Sequence, residues 1–486
     1  TSMKLHSEKI PDPKELEKEI SEFLSKKFGD NVKIVSPMVL TQEAVLDKTK
    51  ESGKSEKKIN FDLKPEELIA YLDQYVVKQD NAKAILATKI CTHFNRIKRA
   101  QESDDSIESM VGSIKSNVLM IGPTGVGKTY IIKLIADKIG VPFVKGDATK
   151  FSETGYVGGD VEDLVRDLVR EADDDIELAQ YGIIYIDEID KIASSRNLIG
   201  ADVSRTGVQR ALLKPMEETE VDLKVPHDPI SMIQEIEQFR KTGKRDKRSV
   251  NTGNILFIMS GAFGELAPII QKRLSRQGIG FGARIKKAEE QVDILKMVRS
   301  EFVGRLPVRA IFEHLTEDDL YCILKNPNNP IILGKRLDFA AYDIEIKFED
   351  KLLQKLATYA FAENTGARGL VSAVEKALLE YERRLPSADI KKFPATASIL
   401  ESPQASIKAL TAPDQEQKTI ELFNRLQKQE KESIREYLKS NKTNLAVKYS
   451  LALTPARIDL VAACYGNSTM DIGNVIKKIK SYYDKI

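Results

Sequence analysis

Two short runs of residues carry the chemistry that this sequence can perform. The first is a G-x-x-x-x-G-K-T phosphate loop followed by an apolar helical segment. Its glycines let backbone N–H groups turn toward phosphates at a helix N-terminus, where the helix dipole favours anions. Lys128 is suited to reach the β- and γ-phosphates, and the Thr129 hydroxyl to ligate Mg²⁺. The residues predicted to bind ATP or ADP here are Gly122, Pro123, Thr124, Gly125, Val126, Gly127, Lys128, Thr129 and Tyr130.

The second run, Ile183-Ile-Tyr-Ile-Asp187-Glu188, is an apolar strand that ends in two carboxylates. Asp187 is predicted to hold Mg²⁺, and Glu188 to orient and deprotonate the water that attacks the γ-phosphate. Such a base favours an ATPase over a kinase, because a kinase must exclude water. Alone, the run would also fit an ordinary strand end with solvated acids. Beside a phosphate loop it predicts hydrolysis of a nucleoside triphosphate.

The elements that must position these runs form an α/β pattern. Apolar strand candidates at 117–121, 142–147, 183–187 and 254–259 alternate with helical segments, which is typical of a parallel sheet covered by helices on both faces. Residues 315–400 are mostly helical with one alternating strand at 343–348, and a charged helical stretch at 414–440 precedes two further helices. The predicted domains are a small α/β accessory module (1–40), a linker (41–59), a large α/β ATPase domain (60–312), a small helical domain (313–400) and a helical C-terminal extension (401–486).

Composition excludes several classes of protein. The 486 residues carry a net charge of only +2, so no overall field would recruit nucleic acid or a membrane. The three cysteines form no C-x-x-C pair, which predicts no zinc site and a reducing compartment. The charged start predicts no signal peptide, and no apolar stretch reaches the roughly 18 residues of a membrane span. We therefore expect a cytoplasmic protein.

Several further motifs agree with a single family. In chain order and together with the two runs above, they are Leu72-Asp-Gln-Tyr-Val-Val-Lys-Gln79, Gly155-Tyr-Val-Gly158, Asp202-Val-Ser-Arg-Thr-Gly-Val-Gln209, Ser260-Gly-Ala-Phe263, Gly304-Arg-Leu-Pro307 and Gly366-Ala-Arg-Gly369. From about residue 63 to 385 the chain resembles AAA+ protein-unfolding ATPases of the ClpX type, and some of its motif sequences are closer to those of HslU. HslU carries a long insertion before its Asp-Glu strand, and the short gap here favours ClpX. The resemblance implies an AAA+ module with a smaller helical domain, assembled as a homo-hexameric ring that unfolds and threads polypeptides.

The resemblance also assigns roles to individual residues. Tyr156 and Val157 would form a pore loop that grips the threaded chain, although a Gly-Tyr-Val-Gly run in isolation is more often a turn with a half-buried tyrosine. Arg305 would stabilise γ-phosphate charge across a subunit interface, and Arg368 would sense the phosphates from within the same subunit.

Two weaker assignments concern the neighbourhood of the nucleotide. Ser260, at the end of an apolar strand, would be a polar sensor beside the γ-phosphate, or else a strand-end serine with no such role. Val76 and Val77 resemble the box on the adenine side, followed by Lys78 where the family commonly has glycine.

Two segments bear on partners. Ile279, Gly280 and Phe281 reproduce the tripeptide with which ClpX docks onto the peptidase ClpP, with a buried hairpin tip as the alternative. The basic run at 240–248 lies where ClpX has a pore-entrance loop that favours acidic tails, and a solvated charged loop is the alternative. ClpX normally begins with a Cys₄ zinc module, whereas this chain has the 1–40 module, which is the candidate receiver of adaptors.

Three other functions remain open from the sequence. A remodelling chaperone without a peptidase would not need the tripeptide at 279–281. A nucleic-acid motor would use the basic run, but the Gly-Tyr-Val-Gly loop argues against it. A nucleotide-gated scaffold is disfavoured by the intact Glu188, Arg305 and Arg368.

Overall fold

The computed structural model describes residues 59, 62–102, 115–151, 161–193, 212–223, 249–264, 304–388 and 390–483. The chain divides into two compact units, Thr1–Lys57 and Lys58–Ile486, and every described residue belongs to the second. The predicted 1–40 module, the pore residues Tyr156 and Val157, the basic run at 240–248 and the tripeptide at 279–281 lie outside the described residues. Within the described ranges, no helix is long and apolar enough to cross a membrane.

A five-stranded parallel sheet is the frame of the first half of this unit. Its strands are β1 (Val118–Ile121), β2 (Phe143–Asp147), β3 (Ile183–Asp187), β6 (Leu256–Gly261) and β7 (Val308–Ile311). Their order is β2-β3-β6-β1-β7, and every neighbouring pair of strands is parallel. A short antiparallel pair, β4 (Glu220–Asp222) and β5 (Ser249–Asn251), lies outside this sheet. The central strands are the continuous apolar runs that burial on both faces requires.

Side chains from the sheet alternate between two separate apolar cores. Val118, Met120, Tyr185 and Ile258 belong to one core, which is completed by α1 (Pro65–Leu72), α2 (Asp80–Glu102) and α3 (Lys128–Ile139). Leu119, Ile121, Ile184, Ile186, Phe257 and Met259 belong to the other, which is completed by α4 (Val161–Glu171), α5 (Ile176–Ala179) and α6 (Ile189–Ala193). The predicted α/β fold class, a parallel sheet between layers of helices, is thereby confirmed.

The next segment is mostly helical and shares the first core. It contains α7 (Glu317–Lys325), α8 (Pro330–Ala340), α9 (Asp350–Ala362) and α10 (Ala367–Arg384). The predicted strand is present as β8 (Glu345–Phe348), and it pairs in parallel with a strand that was not predicted, β9 (Lys392–Ala395). Lys347 lies opposite Pro394 in this pair, and a proline inside a run argues against a strand when only the sequence is read.

The chain ends in helices that pack on this mostly helical segment. After α11 (Ser398–Glu401) and α12 (Pro403–Thr411) come α13 (Glu416–Ser440), α14 (Lys442–Tyr449), α15 (Pro455–Gly466) and α16 (Ile472–Tyr483). Three helices, rather than the predicted two, therefore follow the break after residue 440. The additional break is at Ser450, whose φ of 48° ends α14. Phe423 and Leu426 of α13 are buried, and α13 lies against β8 and β9.

Candidate nucleotide-binding site

The phosphate loop joins β1 to α3 and has the backbone that its glycines permit. Gly125 has φ +76° and Gly127 has φ +92°, both in the left-handed region that disfavours residues with a Cβ. A Cβ on Gly125 would lie 2.1 Å from the Thr365 carbonyl oxygen. The Ala367 N–H donates to the Gly125 carbonyl at 2.8 Å, so the loop directly contacts the start of α10. Helix α3 begins at Lys128, directly after the loop. The first N–H groups of a helix have no partner within it, so those of α3 are available to an anion held by the loop.

Lys128 supplies a buried positive charge within this loop. Its side chain is 8% exposed, and its Nζ donates to the carbonyls of Gly122 and Pro123 at 2.6 Å each. Burial lowers the pKa of this lysine, against the opposing charges of Asp187 and Asp190. A desolvated ammonium is suited to bind a phosphate group, and the two nearby carboxylates are suited to the cation that accompanies it.

A chain of hydrogen bonds links α3, β3 and β6 beneath the loop. Thr129 Oγ1 lies 3.1 Å from Tyr185 Oη, Tyr185 Oη lies 2.6 Å from Ser260 Oγ, and Ser260 Oγ lies 2.5 Å from Asp187 Oδ1. Since an ionised Asp187 can only accept, Ser260 donates to it and Tyr185 must donate to Ser260. Burial raises the pKa of Tyr185 to about 12, so this hydroxyl keeps its proton at neutral pH. The network connects the two predicted metal ligands, Thr129 and Asp187.

Asp187 is held ionised by its neighbours. Burial acts to raise its pKa, but the hydrogen bonds from Ser260 and Lys145 outweigh burial and hold the pKa below its usual value. Lys145 of β2 lies 3.2 Å from Asp187 Oδ2. Carboxylate and hydroxyl oxygens are ligands that Mg²⁺ prefers, and Mg²⁺ usually keeps several waters. The pair Thr129 and Asp187 therefore fits Mg²⁺, while no group of three or more His, Cys, Asp or Glu within the described residues forms a metal site.

Glu188 stands at the mouth of the site with a strained backbone. Its φ is 59°, a left-handed conformation that is unusual for a residue other than glycine, and its side chain is exposed. Its N–H donates to Asp187 Oδ1 at 3.0 Å. Such strain occurs mostly where a side chain must be aimed. Here it turns the chain from β3 toward α6 directly after Asp187.

The site contains two adjoining cavities. A cavity of about 320 Å³ is lined by Thr129 and by the charged residues Lys128, Asp187, Glu188, Asp190 and Arg368, among others. A more apolar cavity of about 170 Å³ is lined by Tyr75, Val76, Val77, Leu315, Ile323, Asn326, Asn329, Pro330 and Ile331. Gly127, Tyr130 and Ala367 line both. A charged compartment next to an apolar one matches the two ends of a purine nucleotide.

The turn after Val77 takes the glycine-like backbone that the family motif implies. Lys78 and Gln79 have φ values of 61° and 66°. Lys78 Nζ donates to the His314 carbonyl at 2.8 Å and pairs with Asp319 at 3.2 Å, while Gln79 exchanges two hydrogen bonds of 2.8 Å with the backbone of Glu313. These contacts offset the free-energy cost of the left-handed backbone, which is on the order of 1–3 kcal/mol per residue. The lysine at the glycine position therefore anchors the turn to the segment that precedes α7.

Ser260 lines neither cavity, although it donates to Asp187, which does. Arg305 also lines neither cavity. It precedes β7, and its carbonyl accepts a hydrogen bond from Asn117, which precedes β1. It thus lies at the amino ends of parallel strands, whereas Asp187 lies at a carboxyl end. Its guanidinium is 53% exposed and forms an ion pair with Glu217. Arg305 consequently faces away from the cavity of its own chain.

Three polar groups of the site were not predicted from the sequence: Lys145, the Tyr185 hydroxyl and the anchoring side chain of Gln79. Tyr185 read as one more apolar strand residue, and Lys145 stands in a short strand without a motif of its own. Their roles depend on strand pairing, since Lys145 is opposite Tyr185 in the β2–β3 register. A polar atom placed inside a buried central strand is the signal that could have identified Tyr185.

We expect Ser260→Ala to raise the Mg²⁺ concentration needed for half-maximal ATP hydrolysis by roughly tenfold, because a hydrogen bond to a charged group is lost. Tyr185→Phe, which removes the donor to Ser260, should act in the same direction. Ser481→Ala is a matched control, since that hydroxyl bonds only within its own helix. Steady-state phosphate release over a Mg²⁺ titration measures the effect, and an unchanged titration in both variants would contradict an orienting role.

Comparisons with known proteins agree with this geometry. Residues 113–309 match the family described as AAA domain (Cdc48 subfamily), and residues 315–385 match the C-terminal, D2-small domain, of ClpB protein. The chain is 41% identical over 343 residues to the ATP-dependent Clp protease ATP-binding subunit ClpX of Treponema denticola. That match covers 68% of this chain and 79% of the relative.

Proposed function

The chain belongs to the ClpX family of AAA+ ATPases, and we propose that it uses ATP hydrolysis to unfold proteins and thread them through the pore of a homo-hexameric ring. The observation that carries the proposal is the construction of the nucleotide cavity. It is lined on one side by Lys128, at the start of α3, and by Asp187 and Glu188, at the carboxyl end of β3. Ala367 and Arg368 of α10 complete the lining. A change at the phosphates can therefore move the helical segment against the sheet, which is the motion that a threading motor needs.

The residues of the cavity divide the hydrolytic work among them. Lys128 and the N–H groups of the phosphate loop bind and orient the phosphates. Thr129 and Asp187 hold Mg²⁺, which when bound neutralises charge that develops on the phosphate oxygens. Glu188 accepts the proton of the attacking water, and its exposed carboxylate is free of the network that binds Asp187.

Arg368 is proposed to report the state of the phosphates to α10. It is the second residue of that helix, and its positive charge acts on Lys128. Loss of the γ-phosphate removes an anion that both cations would share, so the balance of forces on α10 changes with hydrolysis. The contact between Gly125 and Ala367 transmits that change to the backbone.

The mechanical and partner roles rest on segments outside the described residues. Tyr156 and Val157 are proposed to grip the substrate, and Ile279, Gly280 and Phe281 to dock a ClpP-type peptidase. The name of the Treponema denticola relative, a Clp protease subunit, supports the peptidase partner. Residues 1–40 are proposed to receive adaptors.

We expect the wild-type chain with ATP to abolish the fluorescence of a stably folded reporter that carries a flexible tail, and Tyr156→Ala to lose this unfolding while it still hydrolyses ATP. A gripping side chain contributes to translocation without touching the nucleotide. Tyr342→Ala is the matched control, since Tyr342 is exposed and lines neither cavity. Unfolding at the wild-type rate by Tyr156→Ala would overturn the threading role of this residue.

A further inference from the structure

The C-terminal helices α13–α16 are fixed to the mostly helical segment by buried charges. Lys347, 1% exposed, donates to Glu430 Oε2 at 2.6 Å and to the Gly466 carbonyl at 2.5 Å. Arg336, 5% exposed, donates to the Tyr465 carbonyl at 2.9 Å. Buried cations that are paired this closely are costly to separate. Helices α13 and α15 are therefore fixed to β8 and α8, and α14 and α16 share one apolar core with them.

Asn328 joins these helices to the first half of the unit. Its Nδ2 lies 3.2 Å from the Gln74 carbonyl, beyond the end of α1, and 3.0 Å from the Tyr437 hydroxyl of α13. Its Oδ1 accepts from the N–H of Ile472, the first residue of α16, at 3.3 Å. One buried amide thus connects three parts of the chain that are far apart in sequence.

The loop that carries Asn328 is also a wall of the apolar cavity. Asn326 and Asn329, on either side of it, both line that cavity, and Asn328 does not. Asn326 also donates to the Gln74 carbonyl at 3.0 Å. Helices α13 and α16 therefore hold this loop through a residue that does not itself line the cavity.

Lys448 of α14 makes a second connection at the same place. Its Nζ lies 3.3 Å from Gln74 Oε1, 4.5 Å from the centre of the Tyr71 ring and 5.3 Å from that of Tyr75. Tyr75 lines the apolar cavity, and Lys448 does not. An ammonium against aromatic faces is attracted by them most strongly where water is excluded. Lys448 thus fixes the other wall of the cavity from behind.

We propose that α13–α16 act as a clamp that sets the affinity of this chain for nucleotide, with Asn328 and Lys448 as positioning residues for the two walls of the apolar cavity. The inference rests on the proposed nucleotide site. Binding to a pocket whose walls are already fixed costs less free energy, because fewer side chains and loops have to be ordered when the ligand binds. Release of the clamp therefore weakens binding without touching the residues that hydrolyse ATP.

The test compares full-length Lys448→Met with Lys442→Met, an exposed lysine on the same helix. The probe is a fluorescent ADP analogue, and the assay runs at pH 7 because burial beside Lys138 and Lys477 lowers the pKa of Lys448 to about 8. We expect Lys448→Met to weaken binding and raise KM for ATP by ~3–30-fold at an unchanged kcat. Lys442→Met should match wild type. Misfolding alone would lower the apparent kcat instead of raising KM.

Tyr437→Phe provides a milder variant, since it removes only the hydroxyl that accepts from Asn328, and we expect it to weaken binding by about 2–10-fold. If wild type binds the ADP analogue and both Lys448→Met and Tyr437→Phe bind it equally well, the clamp is overturned and the nucleotide site stands. If wild type does not bind the analogue, the proposed site and the clamp both fail.

Discussion

Glu188→Gln should bind ATP with nearly wild-type affinity and hydrolyse it at least about a hundredfold more slowly. The amide keeps the size of the side chain and cannot accept a proton from water. Because Asp187, Ser260 and Tyr185 are bonded to one another and not to the Glu188 side chain, the substitution should leave the metal ligands in place. Steady-state phosphate release and equilibrium binding of a fluorescent ATP analogue separate the two effects.

A matched control for this substitution is Glu177→Gln, which changes an exposed glutamate in the short helix before β3. It should hydrolyse ATP at the wild-type rate. Full turnover by Glu188→Gln would assign the base to another carboxylate, and Asp190, which lines the same cavity, would then be the candidate. Loss of ATP binding by Glu188→Gln would instead mean that this residue serves the metal.

The local backbone explains how two consecutive acids can line the same cavity. Successive residues of a strand point to opposite faces, so two acids in a row would normally diverge across the sheet. The φ of 59° at Glu188 ends β3 abruptly and turns the chain into α6. The buried strand and its hydrogen-bond network offset the free-energy cost of the strained backbone at this turn.

Most of the frame was predictable because its residues are locally consistent. The apolar run of β3 has the predicted bounds, and β1, β2 and β6 differ from prediction by one or two residues at their ends. The strands that were missed, β4, β5, β7 and β9, contain only three or four residues each. Arg309 interrupts β7 and Pro394 interrupts β9, so neither shows the apolar run that marks a buried strand.

The polar contacts of the site were less predictable because they depend on pairing between distant segments. Tyr185 and Ser260 meet only because β3 and β6 are neighbours in the sheet. Lys78 and Gln79 find their partners more than two hundred residues later. No local pattern reports such distances, whereas the phosphate loop and the Asp-Glu strand end carry their chemistry in consecutive residues.

Arg305→Ala is expected to reduce ATP hydrolysis by about a thousandfold while nucleotide binding persists, since a guanidinium supplied across an interface stabilises charge that develops during the reaction. The position of Arg305 at the amino end of β7 keeps it from the cavity of its own chain. Arg383→Ala, which removes an exposed guanidinium that is also ion-paired, should hydrolyse ATP normally. Phosphate release and ATP-analogue binding again provide the measurements.

Mixing two inactive variants tests whether Arg305 acts across the interface. In a ring with head-to-tail contacts, a chain with Arg305→Ala keeps its own Glu188, and a neighbour with Glu188→Gln supplies the missing Arg305. In a random equal mixture about a quarter of the sites would hold both groups, so activity should return to a measurable fraction of wild type. If Arg305 served its own chain, every site would lack one group and no mixture would hydrolyse ATP. Recovery on mixing would therefore establish both the shared site and the ring-like contact that creates it.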